Sequence, residues 1–264
     1  MPGILRKIFQ KKSRTEAISR QAELRAAFPD FDANSVKLIE TVEPYTMTSP
    51  ERIESLRQSI QHLVRHGIEG DIIECGVWRG GSMMATALTL LQEGDVHRIL
   101  RLYDTFDGMS AAKDVDRDFL DHSAAGQLDQ QDRDDPESIW CRSALSEVQQ
   151  NMINTGYPAE RLQFIKGKVE DTLPSNIPES IALLRLDTDW YESTRVCLEQ
   201  LYPRLEPGGI LIVDDYGHWK GCRKAVDEYF ESHGIPLFLQ RIDYTGRIAV
   251  KPDWKPASGR QRSA

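Results

Sequence analysis

The sequence predicts an α/β protein with a doubly wound, mostly parallel seven-stranded sheet, a C-terminal antiparallel hairpin and an N-terminal helical extension. Past residue 71, short apolar segments alternate regularly with amphipathic ones, as strands and helices do in such sheets. Two apolar segments, residues 181–187 and 209–214, end in aspartates. The last two, residues 236–242 and 247–251, are separated by only four residues, which is too few for a parallel crossover and suits a hairpin.

The other elements follow from the same alternation. Short helices are expected at residues 16–28 and 34–42. A longer helix should run from Pro50 to about His66, because proline is well placed in the first turn of a helix. Further strands are expected near residues 71–75, 99–104 and 162–166, and further helices near residues 82–92, 143–155, 193–204 and 219–233.

The chain is expected to form one domain with appended segments. A length of 264 residues and a hydrophobic content of 40% suit a single unit with a buried sheet. We expect residues 1–66 to form an arm and helices that cover the ligand-binding site, residues 67–252 to form the core, and residues 253–264 to be disordered. The basic residues 1–12 lack the apolar stretch of a secretory signal, which leaves a frayed or partner-packed arm or a peripheral membrane anchor.

A long, aspartate-rich segment interrupts the predicted core at residues 109–142. A structureless linker of this length is unusual inside a domain. Two interpretations remain open: a lid at the ligand-binding rim, or a solvated acidic loop. No individual aspartate of this segment is assigned a role.

Composition excludes several classes of protein. A net charge of −8, from 33 basic and 41 acidic side chains, argues against binding to a nucleic-acid backbone. No apolar run approaches the roughly twenty residues of a membrane span. The four cysteines, at positions 75, 141, 197 and 222, show no C-x-x-C spacing. They are typical of reduced, mostly buried thiols in a cytoplasmic protein.

Four aspartates should meet at one rim of the sheet. Asp187 and Asp189 end one predicted strand, and Asp214 and Asp215 end the next. The carboxyl ends of adjacent parallel strands lie at the same edge, where open α/β sheets bind their ligands. Such a cluster favours a hard divalent cation such as Mg²⁺. The alternative is a set of four solvated aspartates at strand-to-helix turns, with Asp215 or Glu192 only capping helices.

A glycine-containing turn follows the first predicted strand. Its spacing, from Gly76 to Gly80 and Gly81, is G-x-x-x-G-G and not the G-x-G-x-x-G of dinucleotide sites. Glu74 precedes the turn, where a carboxylate suits a cationic amine better than a phosphate. Asp104 ends the second strand, the usual position of a ribose clamp. The implied ligand has a ribose and a positive charge but no diphosphate, which fits S-adenosylmethionine.

Several strings resemble those of the macrocin O-methyltransferase family over roughly residues 40–250. They are ECGVWRGGS (74–82), YDTFDG (103–108), GKVEDTLP (167–174), DTDWYEST (187–194) and VDDYG (213–217), with YTMT (45–48) similar to a segment that closes over the cofactor. The resemblance implies a class I, Rossmann-like methyltransferase that requires S-adenosylmethionine and Mg²⁺. It also implies a sugar or glycosylated natural product as acceptor, and a homo-oligomer.

The resemblance also suggests residue roles in the reaction. It implies Asp187, Asp214 and Asp215 as metal ligands. Asp189, on the same face as Asp187 if the strand stays extended, is the candidate general base. His218 is the second candidate for the base, with helix capping or acceptor contact as its alternative roles.

Predicted cofactor contacts come from both the residues and the resemblance. Glu74 is expected near the methionine amine and Asp104 at the ribose. Helix capping is an alternative role for Ser82, and capping of a turn is an alternative role for Asp171. The complete predicted set is Thr46, Met47, Glu74, Gly76, Ser82, Asp104, Gly167, Val169 and Asp171.

Two other functions remain open on the sequence alone. A nicotinamide-dependent oxidoreductase could use the same sheet, although G-x-G-x-x-G and a Tyr-x-x-x-Lys pair are both missing. A catalytically silent S-adenosylmethionine-binding protein is the other possibility, although all four aspartates are present.

Overall fold

One seven-stranded sheet organises the part of the chain that this computed structural model describes, residues 20–135 and 138–253. The strands are β1 (Asp71–Cys75), β2 (Leu100–Asp104), β3 (Leu162–Lys166), β4 (Ile181–Leu186), β5 (Leu205–Val213), β6 (Gln240–Arg241) and β7 (Arg247–Val250). Their order is β3-β2-β1-β4-β5-β7-β6. Only β7 runs antiparallel to its neighbours, β5 and β6. The predicted sheet and hairpin are therefore confirmed, and β7 inserts between β5 and β6.

Helices flank the sheet and precede it, as predicted. The described part of the first helix, α1, covers residues 20–27. The others are α2 (Ala33–Val42), α3 (Pro50–Arg65), α4 (Gly81–Glu93), α5 (Ala124–Asp129), α6 (Leu145–Asn154), α7 (Val169–Thr172), α8 (Tyr191–Leu201) and α9 (Lys220–Ser232).

Some predictions lie outside the described residues. They concern the basic arm at residues 1–12, the start of the first helix, and nearly all of the tail at residues 253–264. Within residues 20–135 and 138–253, no helix has the length and apolar character needed to cross a membrane.

Both faces of the sheet are buried, because successive side chains of a strand point to opposite faces. On β1 and β4, Ile72 and Leu183 belong to the core shared with α2, α3, α4 and α6. Their neighbours Ile73 and Leu184 belong to the core shared with α8 and α9. The nearly continuous apolar strands of the sequence therefore reflect burial on two sides.

The rim at the carboxyl ends of the strands continues the hydrogen-bond ladder by one residue. Asp187 donates its amide to the carbonyl of Cys75 (2.8 Å), and Asp214 donates to that of Leu186 (2.8 Å). These bonds fix the first aspartate of each pair side by side. The register of β4 and β5, with Leu186 opposite Val213, thus positions the acidic cluster.

The sixth strand is shorter than the predicted 236–242. It contains only Gln240–Arg241. Leu237 donates its amide to the carbonyl of Ile235 (2.9 Å), and this tight turn diverts the preceding backbone from the ladder. The prediction from apolar composition was wrong there, because the local turn overrides strand propensity.

The described part of the acidic segment, residues 109–135 and 138–142, packs onto the core and is only partly solvated. It contains α5, and two of its aspartates are buried, Asp116 and Asp118. Asp116 accepts a hydrogen bond from the amide of Tyr191 (2.8 Å), so the segment caps α8. This long-range cap accounts for the start of α8 two residues before the predicted 193.

Candidate active site

The carboxyl ends of the central strands open into one cleft. Its walls come from the segment before α3, the turns after the strands, and the acidic segment. Twelve of the fourteen predicted site residues line it: Thr46, Met47, Gly76, Ser82, Asp104, Gly167, Val169, Asp187, Asp189, Asp214, Asp215 and His218.

Two predicted cofactor residues, Glu74 and Asp171, are absent from the walls of the cleft. Asp171 is exposed on α7, whereas Val169 of the same helix is buried and faces the cleft. Glu74 lies below the cleft, where its carboxylate pairs with Arg185. The ion pair with Arg185 holds this side chain, and the expected contact of Glu74 with a methionine amine stays a prediction.

The glycines of the turn after β1 are needed for packing of the protein on itself. Gly76 has φ +83°, and a Cβ there would lie 1.8 Å from the carbonyl oxygen of Asp187. A Cβ at Gly81 would lie 2.6 Å from the carbonyl oxygen of Tyr45. From the sequence, we expected these glycines to let a ligand approach the backbone. The structure shows that they first let β4 and the segment before α3 reach the rim.

Asp104 holds the turn after β1 against the end of β2. One carboxylate oxygen accepts hydrogen bonds from the amides of Val77 (2.6 Å) and Trp78 (3.1 Å), and the other from that of Phe106 (2.7 Å). Burial raises the pKa of Asp104, and these amide bonds oppose that rise. Asp104 thus shapes the cleft as well as lining it.

Three aspartates converge at the other end of the cleft. Asp187, Asp214 and Asp215 each present a carboxylate oxygen, and these oxygens lie within 4.8 Å of one another. Oδ2 of Asp215 is buried and has no hydrogen-bond partner among the described residues. An all-oxygen donor set with a free buried oxygen fits a hard divalent cation.

Two arginines that the sequence analysis missed are paired with this cluster. Arg185, buried on β4, binds Asp187 (2.8 Å) and Asp214 (2.6 Å) as well as Glu74. Burial lowers the pKa of Arg185, but these carboxylates outweigh it and raise that pKa well above its ordinary value. A charged residue inside an otherwise apolar strand was the available signal, since a buried charge requires partners.

Arg52 of α3 connects the helical extension to the same cluster. It pairs with the second oxygen of Asp214 and with Asp243 (2.9 Å), which lies between β6 and β7. The guanidinium groups of Arg52 and Arg185 thus pair with more carboxylates than they can neutralise, namely those of Glu74, Asp187, Asp214 and Asp243. Because negative charge remains in excess, burial and the neighbouring carboxylates raise the pKa of Asp215 well above its ordinary value. A bound cation would relieve this repulsion.

Asp189 reaches the cleft by a backbone conformation that the sequence did not predict. Its φ is +58°, so the strand does not stay extended to this residue. Its Oδ1 accepts a hydrogen bond from Nε1 of Trp219 (2.7 Å), which fixes the carboxylate. Burial and the charge of Asp187 raise its pKa well above the ordinary value. Left-handed non-glycine residues are uncommon and often occur at functional sites.

His218 lies at the mouth of the cleft. Its amide donates to the carbonyl of Asp215 (3.0 Å), and its Nδ1 lies 3.4 Å from the hydroxyl of Tyr244. Burial lowers the pKa of His218, and the charge of Asp118 partly opposes this. The imidazole therefore favours its neutral form.

Comparison with known proteins identifies the family. A profile of the macrocin O-methyltransferase (TylF) family matches residues 6–250. A Streptomyces olivaceus protein, 8-demethyl-8-(2,3-dimethoxy-alpha-L-rhamnosyl)-tetracenomycin-C 4'-O-methyltransferase, is 33% identical over 244 residues, or 89% of this chain and 88% of the relative. Mycinamicin III 3''-O-methyltransferase of Micromonospora griseorubida is 35% identical over 203 residues, or 76% of each chain.

Solved structures agree with this assignment. The O-methyltransferase NovP superposes with a TM-score of 0.66 at 33% identity, covering 79% of this chain and 82% of NovP. The calicheamicin methyltransferase CalS11 shares the fold, with a TM-score of 0.60 at 19% identity over 90% of this chain and 92% of its own. From the extent of these matches, the chain belongs to the macrocin O-methyltransferase family and is an O-methyltransferase, not an oxidoreductase.

Proposed function

We propose that this protein transfers a methyl group from S-adenosylmethionine to a hydroxyl of a sugar or glycosylated natural product, with Mg²⁺ bound beside the acceptor. The main observation behind the proposal is that two half-sites line the same cleft. One half contains Asp104 and the glycine turn, and the other contains the aspartate cluster. The names of the curated relatives, which include a rhamnosyl-tetracenomycin and mycinamicin III, support the acceptor class.

The proposed reaction is an in-line displacement. The acceptor oxygen attacks the methyl carbon, the C–O bond forms as the C–S bond breaks, and S-adenosylhomocysteine leaves. Asp189 takes the hydroxyl proton while Trp219 keeps its carboxylate in place. Asp187, Asp214 and Asp215 would hold the cation, which when bound polarises the acceptor oxygens and lowers the pKa of the hydroxyl.

A cytoplasmic location and a homo-oligomeric state are part of the same proposal. The four cysteines are all unpaired, and three of them are buried, which suits a reducing compartment. Size-exclusion chromatography with light scattering measures the oligomeric state.

Cofactor binding is the first test. S-adenosylhomocysteine should bind in calorimetry and raise the thermal midpoint, whereas NAD should do neither. Binding of NAD without a response to S-adenosylhomocysteine would contradict the proposal. In the wild type, mass spectrometry should then detect a gain of one methyl group in a glycosylated acceptor.

Changing Asp104→Ala should weaken S-adenosylmethionine by about 1.5–3 kcal/mol, the range for hydrogen bonds to a charged group. Calorimetry measures the affinity. Because Asp104 also anchors the turn after β1, the thermal midpoint of the ligand-free variant must be measured beside it. An unchanged affinity would remove Asp104 from the ribose-binding role.

Removal of divalent ions should abolish methyl transfer without releasing the cofactor. We expect EDTA to suppress turnover, added Mg²⁺ to restore it, and S-adenosylhomocysteine affinity to stay constant, because the two half-sites use different residues. Full activity in EDTA would reject the metal-assisted mechanism.

A further inference from the structure

A group of exposed rings lies at the mouth of the cleft, beside the aspartate cluster. Phe119 of the acidic segment and Tyr244 before β7 are 53% and 57% exposed. Both contact His218 edge-on, with centroid distances of 5.5 Å for Phe119 and 6.1 Å for Tyr244. We call Phe119, His218 and Tyr244 the aromatic rim. Large apolar side chains left in water at a binding cleft indicate an apolar ligand.

The rim is held in place by polar contacts below it. Asp118, only 6% exposed, accepts hydrogen bonds from the amides of Leu120 (2.8 Å) and His122 (2.9 Å). It also pairs through its backbone with Trp219. This tight turn displays Phe119 outward beside the loop that carries His218. The backbone that carries Phe119 is therefore held in place, and the ring itself is exposed.

The aromatic rim belongs to the half of the cleft that contains the aspartate cluster, where the acceptor is proposed to bind. His218 and Tyr244 both line the cleft, and the amide of His218 is bound to the carbonyl of Asp215. The next residue, Trp219, holds the carboxylate of Asp189. A sugar whose hydroxyl lies at Asp189 would thus have its substituents near the rim. Asp104, by contrast, lies farther along the sheet. It is the last residue of β2, and strands β1 and β4 lie between β2 and β5.

We propose that the aromatic rim binds the apolar aglycone that carries the methylated sugar, and so selects glycosides over free sugars. This inference rests on the proposed function and specifies its substrate. A cyclic or aromatic hydrocarbon skeleton matches the exposed ring faces and edges. Even with the adjacent Leu120, which is 62% exposed, these few side chains are too small a surface for a stable protein partner, which needs about 800 Å² on each side. Their continuity with the cleft favours a part of the acceptor itself.

The test compares two probes, methyl α-L-rhamnoside and 2-naphthyl α-L-rhamnoside, on protein saturated with S-adenosylhomocysteine and Mg²⁺. Calorimetry should show that the wild type prefers the naphthyl glycoside by about 10-fold or more. Phe119→Ala and Tyr244→Ala should each reduce that preference by about 3- to 10-fold, the worth of one aromatic contact. Affinity for S-adenosylhomocysteine should not change. Phe238→Ala is the matched control, since Phe238 is 81% exposed and lies outside the cleft.

Several outcomes would overturn the inference. The wild type could show no preference for the naphthyl glycoside. Phe238→Ala could lose as much of that preference as the rim variants do. The preference could also survive in both Phe119→Ala and Tyr244→Ala. Dissociation of an oligomer by Phe119→Ala, seen by light scattering, would assign the rim to a second copy instead. Failure of the proposed function looks different, because S-adenosylhomocysteine binding and methyl transfer would then be missing whatever the rim does.

Discussion

Changing Asp189→Asn is expected to lower the turnover number by about 100-fold or more, the usual worth of a positioned general base. Asparagine keeps an oxygen that can accept the Trp219 hydrogen bond, so the left-handed turn and the cleft should persist. It cannot take a proton from the acceptor. Affinities for S-adenosylhomocysteine and for the acceptor should therefore stay within about threefold of wild type, because only the proton transfer is lost.

The matched control is Asp30→Asn, which changes an exposed aspartate between α1 and α2 and should leave turnover unaltered. Kinetics at saturating substrates measure both variants. Near-normal turnover in Asp189→Asn would transfer the base role to His218, whose neutral imidazole lies at the same mouth of the cleft. His218→Gln would then show the large loss.

Changing Arg185→Met is expected to destabilise the fold by about 3–5 kcal/mol, the cost of removing one partner from a buried ion pair. Glu74 would keep its burial without its cation, and burial already raises its pKa to about 8. Asp187 and Asp214 would lose a shared donor as well. Urea denaturation measures the loss, and adding Glu74→Gln to Arg185→Met should recover part of it.

An exposed arginine provides the comparison. Arg195 pairs with Glu192 and Glu199 on the surface of α8, and Arg195→Met should cost less than about 1 kcal/mol. A similar small cost for Arg185→Met would show that the buried network does not hold the cluster together.

The parts of the fold that were predicted correctly depend on local sequence. Strands β4 and β5 are apolar runs, and the register between adjacent parallel strands brings the residues after them together. Asp187 and Asp214 could thus be placed at one rim without a structure. The family resemblance added the expected roles.

Apart from the local turn that shortens β6, the features that the sequence did not predict involve long-range contacts. Glu74 pairs with Arg185, which lies 111 positions later in the chain, so no local pattern shows that its carboxylate is engaged. Asp116 caps α8 from 75 positions away. The left-handed backbone conformation of Asp189 likewise could not be predicted, because no glycine or turn motif marks this position in the sequence.

The most direct measurement of the central claim, a metal-assisted transferase with two half-sites, is calorimetric titration of Mg²⁺ into protein saturated with S-adenosylhomocysteine. Asp215→Asn is the variant to compare, because Asp215 has a buried oxygen that no described residue binds, whereas both oxygens of Asp214 already bind arginines. We predict that the wild type binds one Mg²⁺ per chain, and that Asp215→Asn loses this binding while keeping S-adenosylhomocysteine. Equal Mg²⁺ binding by both proteins, or none by the wild type, would contradict the account.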